Sequence, residues 1–411
     1  MRLVQKYGGT SVGSLERIRH IAGLVIGAWE QGRHQVAVVV SAMGDETDRL
    51  LGMAHALDPR PPAREIDALV STGEQVSAAL LAIELHRRGV PASSFTGSQA
   101  GFRTDGAHSR ARIRRIESAV LDAALSRGEV PVVTGFQGVD RDGNITTLGR
   151  GGSDTSAVAL AVALEADRCD IYTDVEGIFT TDPRVVPDAR KLERISYEEM
   201  LELASLGANV LQTRSVELAM RYRMPVCLRS SFTTSGGTLV TEEDDTMERA
   251  VVTGVAFNRD EAKITIRGIP DHPGIAANVL RPISEAGINV DVIVQNVSEQ
   301  GYTDMTFTVP REDYERTLEL MEPLRAQLQA REVLGDPKIG KVSIVGVGMR
   351  SHAGVARTMF DALAGAGINI QMITTSEIKI TVVVDEDAVD RAVRTLHDAF
   401  HLDSEEVRVT C

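Results

Sequence analysis

Gly149-Arg150-Gly151-Gly152-Ser153-Asp154-Thr155 reads as a glycine-rich turn that runs into an apolar helix from Ser156 to Leu164. Glycines let backbone N–H groups close on an anion, and the helix N-terminus behind them adds positive partial charge. Arg150 supplies a two-pronged fork for a carboxylate or phosphate, and Asp154 is placed to cap the helix or to orient a nearby cation. The chemistry on offer is the holding of anions. A lone turn of this kind is more often only a turn, but the N-terminus carries a second one, Lys6-Tyr7-Gly8-Gly9-Thr10-Ser11-Val12-Gly13. Lys6 is either a solvated lysine or a cation set just before an N–H-rich loop, and the second reading is the stronger. Neither turn matches G-x-x-x-x-G-K-[ST] or G-x-G-x-x-G, which disfavours a P-loop ATPase or a Rossmann dehydrogenase.

These turns need elements to hold them. Arg2 to Gln5 reads as a strand, and Leu15, Ile18, Ala22, Val25 and Trp29 recur at helical spacing until Gly32. Through about residue 240, short apolar runs (Val36–Val40, Val130–Thr134, Asp170–Thr173) alternate with helical patterns (Glu74–His86, Ser156–Leu164, Glu198–Ala204). Such alternation predicts a mostly parallel sheet between helices, because parallel neighbours need helical crossovers. Ligands in these sheets bind at the carboxyl ends of strands. Lys6, Ser41, Gly135 and Asp174 each follow an apolar run, where that rule puts a site.

Composition narrows the classes. At 411 residues, 43% hydrophobic and 25% charged, the chain is expected to form two or three soluble globular domains. The net charge of −14 argues against a nucleic-acid or anionic-membrane surface, leaving small anions held by local positive charge. Cys169, Cys227 and Cys411 are too scattered for a disulfide framework or a zinc site, and the first two fall in expected strands as core residues. No metal site is expected. No leader-like apolar segment opens the chain and no apolar run is expected to span a bilayer, so the expected location is the cytoplasm.

Around Thr233 to Arg249 the pattern gives way to a polar, acidic stretch, Thr241-Glu242-Glu243-Asp244-Asp245, suited to a boundary. Beyond it the sequence repeats. Lys263-Ile264-Thr265-Ile266-Arg267-Gly268 matches Lys341-Val342-Ser343-Ile344-Val345-Gly346 at an offset of 78. Gly274-Ile275-Ala276 and Ala286-Gly287-Ile288-Asn289-Val290 match Gly354-Val355-Ala356 and Ala366-Gly367-Ile368-Asn369-Ile370 at an offset of 80, so the second copy has a two-residue insertion in its first loop. Each copy reads as a ferredoxin-like βαββαβ unit, and two copies suit a pseudo-symmetric pair with strands able to interlace. The loops Asp271-His272-Pro273-Gly274 and Ser351-His352-Ala353-Gly354 could offer N–H groups to a carboxylate, with each His a solvated loop residue.

Together these motifs resemble the aspartate kinases of the amino-acid-kinase superfamily, followed by two ACT domains. Lys6-Tyr7-Gly8-Gly9-Thr10-Ser11-Val12 is similar to the family's opening motif. Ser41-Ala42-Met43, Thr72-Gly73-Glu74, Gly149 to Asp154, Tyr172-Thr173-Asp174-Val175 and Asp182-Pro183-Arg184 stand in the family's order. The resemblance implies an αβα sandwich over residues 1–245, then ACT domains at 262–335 and 341–411. It implies transfer of the γ-phosphoryl group of ATP, bound with Mg2+, to the β-carboxylate of L-aspartate. That is the first step toward lysine, threonine and methionine.

Carried over residue by residue, the resemblance assigns catalytic roles to Lys6, Arg150 and Asp154. The substrate pocket is Ser41, Thr47, Glu74, Arg150, Gly151, Gly152 and Ser153, with Arg150 on the α-carboxylate and Glu74 accepting from the α-amino group or orienting the site. The nucleotide set is Lys6, Tyr7, Gly8, Gly9, Thr10, Ser11, Thr173, Asp174, Phe179, Asp182 and Arg184. For lysine or threonine as inhibitor, the implied contacts are Asn289, Val290, Asp291 and Gln295 in the first copy. Those in the second are Gly354, Val355, Asn369, Ile370, Thr375 and Ser376. The resemblance also implies an oligomer built through ACT domains, either uniform or mixed with a shorter regulatory chain starting near Met247. Two alternatives stand beside it: another amino-acid kinase, acting on glutamate or carbamate, and a catalytically silent amino-acid sensor.

Overall fold

The computed structural model describes residues 1–411 except 31–34, 207–209, 244–250, 298–300 and 405–411. Gly32, Met247 and Cys411 therefore lie outside the described residues. Two compact units result: Met1–Phe179, Lys191–Ser205 and Asn209–Met247 in the first, and Thr180–Arg190, Leu206–Ala208 and Glu248–Cys411 in the second. The segment Thr180–Arg190, read in the sequence as part of the first domain, is thus built into the second unit.

The first unit is an eight-stranded sheet. Its spatial order is Arg194–Ser196, Thr238–Thr241, Val226–Ser230, Arg168–Thr173, Arg2–Tyr7, Gln35–Val40, Val130–Thr134 and Ala92–Phe95. All neighbours are parallel except Val226–Ser230 with Thr238–Thr241. The strand Thr238–Thr241 lies in the stretch expected to be a linker. Side chains alternate across a strand, so Val36, Val38 and Val40 face one layer of helices. That layer is Leu15–Glu30 through Ile18, Ile21, Ala22 and Val25, and Thr72–Arg87 through Ala78, Leu81, Ala82 and Leu85. On the other face lies Gly152–Ala163, buried through Ala161 because Gly, Ser, Ala and Thr leave room for close packing. A four-stranded sheet of Ile113–Ile116, Phe102–Thr104, Gln137–Val139 and Ile145–Thr147 completes the unit.

The stretch Ala63–Arg87 is long and apolar enough by composition to cross a membrane, contrary to the sequence expectation. It is two helices, Ala63–Val70 and Thr72–Arg87, joined at Ser71, and half of its most apolar window is buried inside the protein.

The second unit is a six-stranded antiparallel sheet ordered Ile293–Val297, Tyr302–Pro310, Gly254–Pro270, Glu332–Val345, Lys379–Asp385 and Met372–Thr375. Two of its strands are long enough to serve both repeats. Lys263–Arg267 pairs with Glu332–Asp336 in the first repeat, and Gly254–Asn258 pairs with Lys341–Val345 in the second. The fourth strand of the second module therefore precedes the whole of the first, outside the expected boundary at 262. The modules are interlaced. The two-residue insertion is visible as a 3-10 turn, Val347–Arg350, before the helix Val355–Gly365.

Candidate active site

The site forms where four adjacent parallel strands end. Tyr7 pairs with Val40 and with Tyr172, and Val40 pairs with Thr134, which aligns the carboxyl ends of all four. Lys6 is inside its strand rather than after it, one residue before the end. From there Gly8 N–H bonds Tyr172 O (3.2 Å), and Ser41 N–H bonds Tyr7 O (3.1 Å). Gly44 N–H bonds Gly9 O (3.0 Å). A Cβ on Gly9 would lie 3.1 Å from Ala42 O and 3.2 Å from Gly44 O, so the two loops pack closely enough that any side chain there would have to push one of them aside.

Lys6 Nζ lies 2.6 Å from Asp154 Oδ1, with both side chains 11% exposed. The helix expected from Ser156 begins at Gly152, and Gly151 caps it without a side-chain bond. Asp154 thus stands in the first turn, where the helix dipole favours an anion, and its carboxylate holds the lysine rather than the cap. A Cβ on Gly8 would sit 3.5 Å from the same Nζ, placing the ammonium against the glycine turn.

Glu74 enters from the helix Thr72–Arg87. A Cβ on Gly73 would come within 2.8 Å of Ala42 Cβ, so that helix end packs directly on the loop after Val40. Glu74 Oε1 accepts the Ala42 N–H (3.2 Å), while Oε2 is buried with no hydrogen-bond partner among the described residues. Burial drives its carboxyl up to about 7, against the smaller pull of the N–H bonds to it. An unpartnered buried carboxylate oxygen with a raised pKa marks Glu74 as a candidate site residue. Thr134 Oγ1, at the end of its strand, is a second buried oxygen with no partner among the described residues.

The Gly149–Gly151 turn is clamped from outside. Gly151 has φ +68, in the left-handed region, and a Cβ there would lie 1.6 Å from Gln212 Cγ. Arg214 donates to Leu148 O (2.6 Å) and Ala111 O (3.1 Å). Arg150 is exposed on this turn, Ser153 is buried with its side chain against Gly135, and Thr47 is half-buried in the first turn of Glu46–Leu57.

The nucleotide set divides. Tyr7 is fully buried, its ring stacked on Tyr172 at 4.7 Å and its hydroxyl on Gln5, so its side chain packs the core instead of meeting a nucleotide. Ser11 is buried with its hydroxyl 2.5 Å from that of Ser231, which in turn bonds Thr173 O (3.1 Å). Ser11 therefore fastens the glycine loop to the neighbouring strand end. Thr10 is exposed, Asp174 is exposed and accepts from Thr173 Oγ1 (3.0 Å), and Phe179 is half-buried. Asp182 and Arg184 pair with each other at 2.7 Å and belong to the second unit. Ser231, Gln212 and Arg214 were not found from sequence, because serines and polar helix caps carry no pattern until the fold brings them in.

In the second unit, a cavity of 420 Å³ is lined by Asp271, His272, Pro273, Gly274, Ile275, Ala276 and Gln295. Asp291 lines a different one, of 280 Å³, with Val292, Ile293, Thr374, Lys379, Thr381 and Leu206. Asp291 is also bound to the buried Lys341 ammonium, which lies 2.5 Å from Glu261. Among the other expected effector contacts, Asn289, Gly354, Asn369, Thr375 and Ser376 are exposed, Val290 and Ile370 are half-buried, and Val355 is buried in the core.

The amino acid kinase family model matches residues 1–230, and ACT domain models match 264–327 and 342–400. The aspartokinase of Pseudomonas aeruginosa is 57% identical over 404 residues, covering 98% of each chain. The chain belongs to the aspartokinase family. Among solved structures it is similar to E. coli aspartokinase III in complex with aspartate and ADP, with a TM-score of 0.80, 28% identity and coverage of 97% of this chain and 99% of that one. The lysine- and aspartate-bound T-state of the same aspartokinase matches at a TM-score of 0.75, with the same identity and coverage. The aspartokinase assignment fits the geometry: a lysine–carboxylate pair on a glycine turn, and a buried carboxylate with one oxygen unpartnered among the described residues.

Proposed function

We propose that this aspartokinase binds L-aspartate by its α-ammonium on Glu74 and its α-carboxylate on Arg150, and phosphorylates its β-carboxylate from ATP. A carboxylate with a pKa near 4 is already ionised at neutral pH, so the reaction calls for no general base. A β-carboxylate oxygen forms the new bond to the γ-phosphorus, the bond from that phosphorus to the β,γ-bridging oxygen breaks, and ADP leaves with the electron pair. Two anions must meet, and the work is positioning and charge neutralisation. Lys6, oriented by Asp154 at the glycine turn, supplies positive charge to the transferring group. On the family resemblance, the divalent ion is read as arriving with the nucleotide phosphates, where it would add positive charge beside Lys6.

The observation that carries this reading is Glu74 Oε2 at the strand ends, buried with no hydrogen-bond partner among the described residues. It favours an amino-acid acceptor over carbamate, which has no ammonium to offer. The test is ATP-dependent formation of an acyl phosphate, trapped with hydroxylamine, across L-aspartate, L-glutamate and carbamate. L-aspartate should be strongly preferred. Equal turnover of carbamate would overturn the reading, and ATP binding without turnover of any of them would favour the silent sensor.

The ACT pair is read as the seat of feedback inhibition by lysine, threonine or both, with Gln295 and Asp291 as first-copy contacts. Family resemblance and the cavities at these residues support that reading. Adding each amino acid separately and together to the hydroxamate assay tests it. We also assign the chain to the cytoplasm and to an oligomer joined through ACT domains.

A further inference from the structure

Asp67 is fully buried on the helix Ala63–Val70, and the proposed chemistry does not use it. Its carboxylate is nevertheless among the most heavily bonded groups in the first unit. Oδ2 accepts His108 Nδ1 at 2.8 Å, the Thr147 N–H at 3.1 Å and the Ser109 N–H at 3.0 Å. Oδ1 accepts the Thr147 hydroxyl at 2.6 Å and shares the Ser109 N–H at 3.0 Å, with the Ser109 hydroxyl at 3.4 Å. A carboxylate only accepts, so His108 carries its proton on Nδ1. A buried anion survives only when donors replace its water, and here the donors come from two separate chain segments.

Both donor segments lead to one end of the proposed amino-acid grip, and the helix that carries Asp67 leads to the other. Thr147 stands three residues before Arg150, and Ser109 O would lie 3.0 Å from a Cβ on Gly149, so Ser109 abuts the same turn. On the other side, Ala63–Val70 continues through Ser71 into the helix that carries Glu74, seven residues after Asp67. Ser71 is itself fixed, its carbonyl accepting Gln137 Nε2 at 2.8 Å. One carboxylate thus bolts the base of the Glu74 helix to the strand feeding the Arg150 turn.

We infer that Asp67 is a positioning residue: it sets the separation between the Glu74 carboxylate and the Arg150 turn, and through it the grip on the ammonium and carboxylate of the substrate's α-carbon. The inference rests on the L-aspartate reading of the site. Its sequence signal is a lone carboxylate between Ile66 and Leu69-Val70, an acid in an otherwise apolar helical stripe.

The test uses the full chain and two near-isosteric variants, Asp67→Asn and Thr147→Val, with KM for L-aspartate, KM for ATP and kcat measured separately and folding followed by thermal denaturation. A mismatch at the grip should raise KM for L-aspartate about tenfold or more in Asp67→Asn and about threefold in Thr147→Val. KM for ATP should stay within about twofold in both. If Asp67→Asn does not fold, Thr147→Val decides. Unchanged KM for L-aspartate in the folded variants, or a parallel rise in both KM values, overturns the positioning role. Failure of the unaltered protein to phosphorylate L-aspartate is read before any variant, and overturns the substrate reading together with this one.

Discussion

Lys6 Nζ and Asp154 Oδ1 meet at 2.6 Å across the rim of the sheet, the first from a strand end and the second from the first turn of a helix. Each is nearly buried, so neither can lose its partner without leaving a charge in a poor solvent. Removing one member of such a pair is destabilising by about 3–5 kcal/mol, whereas removing both is far milder. Lys6→Ala is therefore expected to lower the melting temperature as well as reduce kcat by about 10²-fold or more. The double variant Lys6→Ala, Asp154→Asn should regain most of the melting temperature and none of the activity. Recovery of both, or neither, in calorimetry and the hydroxamate assay would refute a pair whose lysine acts on substrate.

If Glu74 holds the substrate ammonium as proposed, substrate capture should depend on pH. Burial penalises the anion and pushes the Glu74 carboxyl up to about 7, yet on the proposed reading it must be ionised to receive an ammonium. KM for L-aspartate should thus climb about tenfold per pH unit below 7, while KM for ATP does not follow.

The same shift acts on stability. The folded state holds a proton between the ordinary value of 4.5 and about 7 that the unfolded chain has released, so stability falls as pH rises through that window. Glu74→Gln removes the penalty. It should stabilise the unliganded protein by about 1–3 kcal/mol at pH 8 and scarcely at all at pH 4, while use of L-aspartate collapses. Denaturant titrations at the two pH values check the sign.

What the sequence showed and what it hid follow from the range of the interactions. Strand–turn–helix order and the paired glycine turns are local, and the residues Lys6, Glu74 and Asp154 could be picked out before any fold was known. The repeat likewise announced two ACT modules. The exchange of strands between them was not legible as a pairing, since Gly254–Asn258 and Lys341–Val345 stand on opposite sides of the first repeat in the chain and no local pattern links them. The direction of the Tyr7 side chain was not legible, because a residue inside a motif can face either side of a strand, and this one stacks on Tyr172 in the core. The role of Asp154 was open between cap and counter-ion until the helix start moved from Ser156 to Gly152.

Gly151 is required twice over, by its φ of +68 and by the Gln212 side chain lying where its Cβ would go. Gly151→Ala should displace the Arg150 turn, and a misplacement of about 1 Å there is expected to reduce kcat/KM for L-aspartate about 100-fold. Shortening the obstructing side chain with Gln212→Ser in the same protein should recover about tenfold. The left-handed backbone strain, about 1–2 kcal/mol, would persist as a lowered melting temperature. No recovery in the double variant would mean that backbone conformation alone governs the site.

Lys341 sits at 2% exposure between Glu261 and Asp291, and the two carboxylates are not equivalent. Glu261 is buried, with its carboxyl held above the ordinary range chiefly by desolvation, against the opposing pull of Lys341. Asp291 is 58% exposed and lines a cavity. Asp291→Asn leaves the lysine a buried partner, so the change in stability should stay within about 1 kcal/mol. Lys341→Met strands Glu261 and should cost about 3–5 kcal/mol. If Asp291 also receives an effector ammonium, Asp291→Asn should move the inhibition curve for lysine or threonine to about tenfold higher concentration, with uninhibited kcat unchanged. An unshifted curve for both amino acids, in a protein that melts normally, would remove Asp291 from the effector site and leave it as the outer counter-ion of Lys341.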